Sequence, residues 1–323
     1  MNERAELSVN GKSSYKGAFM LLFAAFIWGI SFVAQSVGMQ SIEAFTFSGI
    51  RTLMGAMTLV PFLVFSDRAK MQKMREAEKA EKKLSDKKAL RYGFFLGLIM
   101  CIASNLQQFA FIYSSPGKIA FITSLYMFFV PLIGIFLGKK TPVITWICAV
   151  FAFVGLYFLC IDPSLAGSIN KGDLLTAACA VFFAFHIIFI EKYAPEVCGI
   201  RLSMIQFAVS GFISCILMLI FETPRLSSIM TALPSLLYSG VLSCGLAYTL
   251  QVLGQRHTEA TVASLLLSTE SVFAVLASAL LLGEIMKSRE ILGCVIMFAA
   301  IIISQLSEKI TQKVSRLSSP AIK

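Results

Sequence analysis

The sequence predicts an all-α integral membrane protein: ten transmembrane helices, arranged as two inverted five-helix repeats around a central cavity. Three observations predict it. The 323 residues are 57% hydrophobic and only 14% charged, with mean hydropathy +0.79. A water-soluble chain is about half apolar and about a quarter charged, so soluble folds and disorder are excluded. Ten apolar segments of membrane length follow one another. The segments of the second half match those of the first in order and length.

Residues 1–16 are a polar tail carrying Arg4, Lys12 and Lys16. The first apolar segment is 17–37. A cleaved signal peptide is the rival reading, but the run is long and nine more follow. The others are 44–65, 92–113, 118–137, 144–161, 173–190, 200–221, 232–253, 261–282 and 290–306. Each is near the roughly 17–25 residues a spanning helix needs. Connections are short except 67–91, a charged linker whose AEKAEKK core favours helix. It reads as a solvated hairpin, with a lipid-headgroup or regulatory contact as the alternative. A second polar tail covers 307–323.

Ten spans put both termini on one side. With the 67–91 linker assigned to the cytoplasm, 22 of the 28 Lys and Arg residues fall inside and five outside, with Arg51 within a span. That asymmetry places both termini in the cytoplasm of a plasma (inner) membrane protein. The net charge of +10 therefore marks sidedness rather than nucleic-acid binding. The eight cysteines form no CxxC pair and mostly lie in apolar runs, so they read as core residues. His186 and His257 are the only histidines, far apart in sequence, and no metal site or cofactor is expected.

The halves, 17–161 and 172–306, superpose in two blocks. An offset of 155 matches Gly17 with Gly172, Trp28 with Phe183, Ser31 with His186, Ser48 with Ser203, and Arg51 with Gln206. An offset of 143 matches Gly97 with Gly240, Cys101 with Cys244, Asn105 with Tyr248, Gln108 with Gln251, and Ala120 with Ala263. Five helices is an odd number, so the second half enters the membrane upside down. Inverted repeats with a site between them are a recurring plan of secondary transporters.

The matched positions form stripes. Gly97, Cys101, Ser104, Asn105 and Gln108 share a face of the third segment; Gly240, Cys244, Ala247, Tyr248 and Gln251 share one of the eighth. Ala24, Trp28, Ser31 and Gln35 line the first. Small residues at this spacing suit close helix packing, with Gly93 and Gly97 as a GxxxG pair. Gln108, Gln251, Asn105, Tyr248 and Trp28 are better suited to a cavity wall. Pro131 is expected to interrupt the fourth segment, by removing a donor and clashing with the carbonyl of Met127.

Glu270, His186 and Arg51 are the deepest ionisable groups. Glu270 lies about 14 Å along the ninth segment at roughly 1.5 Å per residue, near the middle of the bilayer. It is either a substrate or proton site or a buried structural partner. His186 is either a hydrogen-bonded interior histidine or a proton carrier. Arg51 either faces the cavity or reaches for the interface. Thr261, Ser264, Ser268 and Ser271 form a hydroxyl stripe about 100° from Glu270. No nucleotide-binding loop, HExxH or GxSxG occurs, so an ATP-driven pump and a known hydrolase are unsupported.

AAFIWGISFVAQ, GIRTLMGA, KIAFITSLYMFFVPLIG and SLLLSTESVFAVLASALLLGE together resemble the EamA-type branch of the drug/metabolite transporter superfamily. The resemblance spans about residues 17–306. It implies a cavity between the first, third, fourth, sixth, eighth and ninth helices, and export of small metabolites, amino acids or drugs, often without ATP. Trp28, Tyr126, Pro131, Glu270 and Glu284 match family-like positions. Two positions depart. Ser271 stands where many members have proline after the glutamate, which puts a kink there in question, and Lys139–Lys140 stand where many carry a glutamate. The expectation is a monomeric secondary transporter, not an enzyme, exporting small organic metabolites by alternating access. Its predicted partners are a small-molecule substrate and the lipid bilayer. Predicted substrate contacts are Trp28, Asn105, Gln108, Tyr126, His186, Tyr248, Gln251 and Glu270. The alternatives are an importer of a small metabolite and a membrane-embedded enzyme or sensor.

Overall fold

A computed structural model describes residues 15–71, 76–139, 142–160, 170–282, 287–289 and 291–303. Among these residues the regular structure is helical and contains no strand. The first half holds α1 (Tyr15–Gly38), α2 (Ala44–Met71), α3 (Glu76–Ala110), α4 (Pro116–Thr123), α5 (Tyr126–Phe136) and α6 (Val143–Cys160). The second holds α7 (Lys171–Tyr193), α8 (Gly199–Phe221), the short α9 (Leu226–Thr231) and α10 (Leu233–Leu237). A π-helical segment, Tyr238–Ala247, then runs into α11 (Tyr248–Gly254). After it come α12 (Ala260–Leu267), α13 (Glu270–Leu282) and α14 (Ile291–Ile303).

Eight stretches, with α4–α5, α10–α11 and α12–α13 each counted as one, are long and apolar enough to cross a membrane among the described residues. Two shorter apolar helices, Val143–Phe158 and Ile291–Ile303, coincide with the fifth and tenth predicted segments. Many large apolar side chains point outward, among them Phe19, Phe62, Phe136 and Leu280. In water such a surface would be unstable; in lipid it is the expected exterior.

Local chemistry sets the helix ends. Asn170 caps α7 through a reciprocal pair: its side chain accepts from Asp173 N, and Asp173 accepts from Asn170 N, each at 3.0 Å. The first amides of α2 are capped from another helix end. Phe45 N, Thr46 N and Thr46 Oγ1 each donate to the Glu222 carboxylate at 2.7 Å. The AEKAEKK stretch lies in α3, so helix continues well beyond the apolar part of the third segment.

Two breaks differ from expectation. Helix runs through Pro131 within α5, and the interruption comes earlier, at Ser124–Leu125. The ninth segment breaks at Ser268–Thr269, without proline. Hydroxyls do the work there: Ser264, Ser268 and Thr269 bond back to carbonyls three residues earlier at 2.6–2.8 Å. Such bonds compete with the helix ladder. Glu270 is therefore the first residue of α13 rather than a mid-helix residue. The two breaks touch, with Ser124 Oγ and Ser271 Oγ 2.7 Å apart and Ser271 Oγ donating to Ala120 O at 3.0 Å.

Packing follows a reciprocal pattern. α8 lies against α2 and α3; α3 also packs on α7. In the same way the π segment and α11 pack on α1, and the π segment packs on α2. α1 packs on α12 and α13, as α7 packs on α4 and α5. Glycines permit the close approaches. A Cβ on Gly97 would lie 2.7 Å from Val209 Cβ, and one on Gly240 would lie 3.0 Å from Arg51 O.

Candidate functional site

A cavity opens where these elements meet. It takes seven lining residues from each half. From the first come Trp28, Phe32 and Gln35 of α1, Arg51 of α2, Gln107 of α3, Thr123 of α4 and Tyr126 of α5. From the second come Phe183 and Ile187 of α7, Ser243 of the π segment, Tyr248 and Gln251 of α11, Leu267 of α12 and Glu270 of α13. The atom-free space is about 450 Å3, but only about 30 Å3 is open to the centres of water molecules. Small-molecule pockets run to roughly 300–1,000 Å3. By that measure the cavity is narrow, and a metabolite needs it wider.

Its lining includes five aromatic side chains and two charged ones, Arg51 and Glu270. The Trp28 and Tyr248 rings lie 4.4 Å apart, and Trp28 Nε1 donates to Ser243 O at 3.4 Å. The break before α13 puts Glu270 at a helix N-terminus, where the peptide dipoles favour a carboxylate. The Tyr126 hydroxyl donates to Glu270 Oε1 at 3.0 Å. At another part of the wall, Arg51 Nη1 donates to Gln35 Oε1 at 2.6 Å, and Gln35 in turn donates to Ser31 Oγ at 3.2 Å. Arg51 and Glu270 are 5% and 4% exposed, yet neither forms an ion pair among the described residues. Arg51 Nε and Gln251 Oε1 also have no hydrogen-bond partner. Gln107 Nε2 donates to Thr123 Oγ1 at 3.1 Å.

Of the eight predicted contact residues, the cavity gathers Trp28, Tyr126, Tyr248, Gln251 and Glu270. The other three lie off its lining. Asn105 Nδ2 donates to Cys101 O and to Ser214 Oγ, each at 2.8 Å, which ties α3 to α8. Gln108 is fully buried, with both amide atoms unpartnered. His186 is fully buried too, its Nε2 3.0 Å from Gln206 Oε1 and its ring edge-on to Tyr248. The stripe of Gly97 and Asn105 is thus the face that packs on α8. The cavity takes Gln107 instead, one position and about 100° round. Sequence reasoning missed Gln107, Thr123 and Ser243. It left Arg51 undecided between cavity and interface, and the structure places it on the cavity. Among the described residues no three metal-ligating side chains gather. Glu284 and Lys140 lie outside the described residues.

Residues 15–161 and again 170–306 match the EamA-like transporter family. The chain belongs to that family. An uncharacterized transporter of Archaeoglobus fulgidus is 28% identical over 288 residues, covering 88% of this chain and 84% of that protein. The uncharacterized transporter YoaV of Bacillus subtilis is 26% identical over 289 residues, covering 87% and 94%. A crystal structure described simply as that of a protein superposes with a TM-score of 0.72 at 14% identity. It covers 95% of this EamA-like chain and 100% of its own, a likeness of fold alone. Family membership and the eight long apolar helices make the chain a multi-pass membrane protein of a transporter family.

Proposed function

We propose that this EamA-like protein is a secondary transporter that exports small organic metabolites, amino acids or their derivatives and drugs among them, by alternating access. The observation that carries the reading is the narrow cavity at the meeting of both halves, with seven lining residues from each. A site shared equally between two halves changes its exposure when they rock against one another. The reciprocal helix packing and the two consecutive matches to one family support two inverted five-helix repeats, 17–161 and 172–306. The shorter helices 143–158 and 291–303 would bring the spans to ten. The charge asymmetry of the loops supports cytoplasmic termini in a plasma membrane.

In this reading Trp28 and Tyr248 stack on the apolar part of the solute. Tyr126, Gln251 and Glu270 hold its polar groups. Asn105 and His186 tie helices together behind the wall, where Gln108 lies without a polar partner. Metabolites inside and outside cells are compared with and without overexpression, at matched membrane abundance. Overexpression should enrich a defined set outside, and Tyr248→Ala should cut that enrichment at least tenfold. Identical media with and without the protein would sink the export reading. Counterflow in vesicles of known orientation separates export from import.

A further inference from the structure

α3 is longer than a membrane needs. Its 35 residues, Glu76–Ala110, extend about 52 Å at roughly 1.5 Å per residue, against a hydrocarbon layer about 30 Å thick. The surplus is the charged end, 76–91, and its charges are sorted by face. With Lys83 as zero and about 100° per residue, Lys87 and Arg91 fall at about 40° and 80°. Phe94 and Leu98, both exposed, fall at about 20° and 60°, inside the same arc. Exposed Leu90 and Leu84 flank it. The basic stripe is therefore continuous with the apolar face of α3 that meets lipid. Acids are kept elsewhere. Glu78, Glu81 and Asp86 lie about 100° or more from the middle of the arc. Asp86 is also neutralised: Arg201 of α8 pairs with it and with Asp67 of α2, and Lys82 Nζ lies 3.1 Å from Asp67 and 3.7 Å from Asp86. Glu196, between α7 and α8, is taken up by Lys88 at 2.8 Å and by the Tyr92 hydroxyl at 3.1 Å. Lys83, Lys87 and Arg91 are exposed and form no ion pair among the described residues.

We propose that this face of α3 is a docking site for anionic phospholipid. Headgroup phosphates of the adjoining leaflet sit against Lys83, Lys87 and Arg91, and the acyl chains run along Phe94 and Leu98. Length fits as well as charge. Lys83 to Arg91 spans about 12 Å along the axis. A headgroup layer adds about 5–8 Å to each side of the hydrocarbon, and attraction to its charge reaches about 8 Å further at physiological salt. All three cations stand within that depth when Arg91 lies at the edge of the hydrocarbon. Basic segments next to a membrane span are drawn to anionic leaflets in this way. The Asp67–Arg201–Asp86–Lys82 cluster fastens the extension to α2 and α8 and keeps its carboxylates away from the lipid side. The site needs the chain to span a membrane and is independent of the solute carried.

The test uses the purified full chain in nanodiscs of phosphatidylcholine alone or of phosphatidylcholine mixed with phosphatidylglycerol. Hydrogen exchange of residues 83–91 should slow at least threefold in the anionic discs, and high salt should abolish the difference. Lys83→Gln, Lys87→Gln and Arg91→Gln together should abolish it too, at unaltered thermal stability. The charge-keeping set Lys83→Arg, Lys87→Arg and Arg91→Lys should retain it, which separates lost charge from a disturbed helix. Equal exchange of the wild type in both discs would overturn the proposal, and so would protection that survives the triple glutamine variant. Protection of the same size in residues 216–221, at the far end of α8, would make the effect general to the bilayer and overturn it as well. Free glycerol 3-phosphate protecting residues 83–91 equally in neutral discs would assign the stripe to soluble anions instead of lipid.

Discussion

Glu270 sits at the first residue of α13, in a cavity, beside a tyrosine hydroxyl 3.0 Å away. A helix N-terminus stabilises the charged carboxylate by roughly 0.3–1 kcal/mol at exposed sites and more where solvent is excluded. The residue can therefore be tolerated as structure, and it can equally exchange a proton with cavity water. Transport measured across a pH series distinguishes these roles. If Glu270 carries a proton or a cationic group through the cycle, the wild-type rate varies with pH and Glu270→Gln flattens that profile. A variant with unaltered rate and profile would leave the carboxylate as scaffold. Gln108 makes a contrasting case. Its amide is buried with neither polar atom bonded, an arrangement that costs roughly 1–3 kcal/mol. Gln108→Leu should therefore melt no lower than the wild type in detergent, whereas Asn105→Ala, which removes two bonds at 2.8 Å, should lose about 1 kcal/mol. A large loss in Gln108→Leu would mean that the amide has a partner, such as an ordered water.

At the scale of elements, the sequence made the helices legible and misjudged their interruptions. Apolar runs of membrane length found the long spans because lipid demands them. The breaks were not legible in the same way. Proline at 131 drew attention, but α5 runs through it, and the interruption is at Ser124–Leu125. The matching break at Ser268–Thr269 comes from three back-bonding hydroxyls. The site was half legible for a related reason. Periodicity identifies a face, not what the face meets. On α3 the polar stripe packs on α8, while on the eighth span Gly240 packs on α2 yet Tyr248 and Gln251 turn to the cavity. Gly240 lies inside the Tyr238–Ala247 π segment, and Tyr248 and Gln251 follow it. Its wider turn rotates later residues out of an α-helical stripe. The contact between the breaks is testable. Ser271→Ala removes the bonds to Ser124 and Ala120, and should raise hydrogen exchange in residues 120–128 several-fold with little effect on α8. Unaltered exchange there would show that the hydroxyl contact does not hold the two breaks together.

Across the whole molecule the two segments that match the family share a packing pattern but not a charge pattern. α4–α5 is fastened to α7 near both ends: Lys118 pairs with Asp173 at 2.7 Å, and Lys139 pairs with Glu191. The equivalent contact in the other half joins α12–α13 to α1. Thr261 stands where the offset puts Lys118, and Ala18 where it puts Asp173. That contact has no such pair among the described residues. The same asymmetry separates Arg51, on the cavity, from its counterpart Gln206, which bonds to His186 off the lining. Two similar halves with one ionically fastened are not free to move alike. The fastened contact opens only by breaking its pairs, while the described residues of the other show no pair at the equivalent positions. Asp173 is largely buried and also anchors the α7 cap, so the Lys118 pair exceeds an exposed surface bridge, which contributes about 0–1 kcal/mol. Lys118→Gln should therefore raise hydrogen exchange of α4 about fivefold, the equivalent of roughly 1 kcal/mol. It should leave α12, for which the described residues show no equivalent pair, unchanged. Equal increases in α4 and α12 would mean that the protein loosens as one body, and no increase in α4 would mean that the pair does not hold this contact closed.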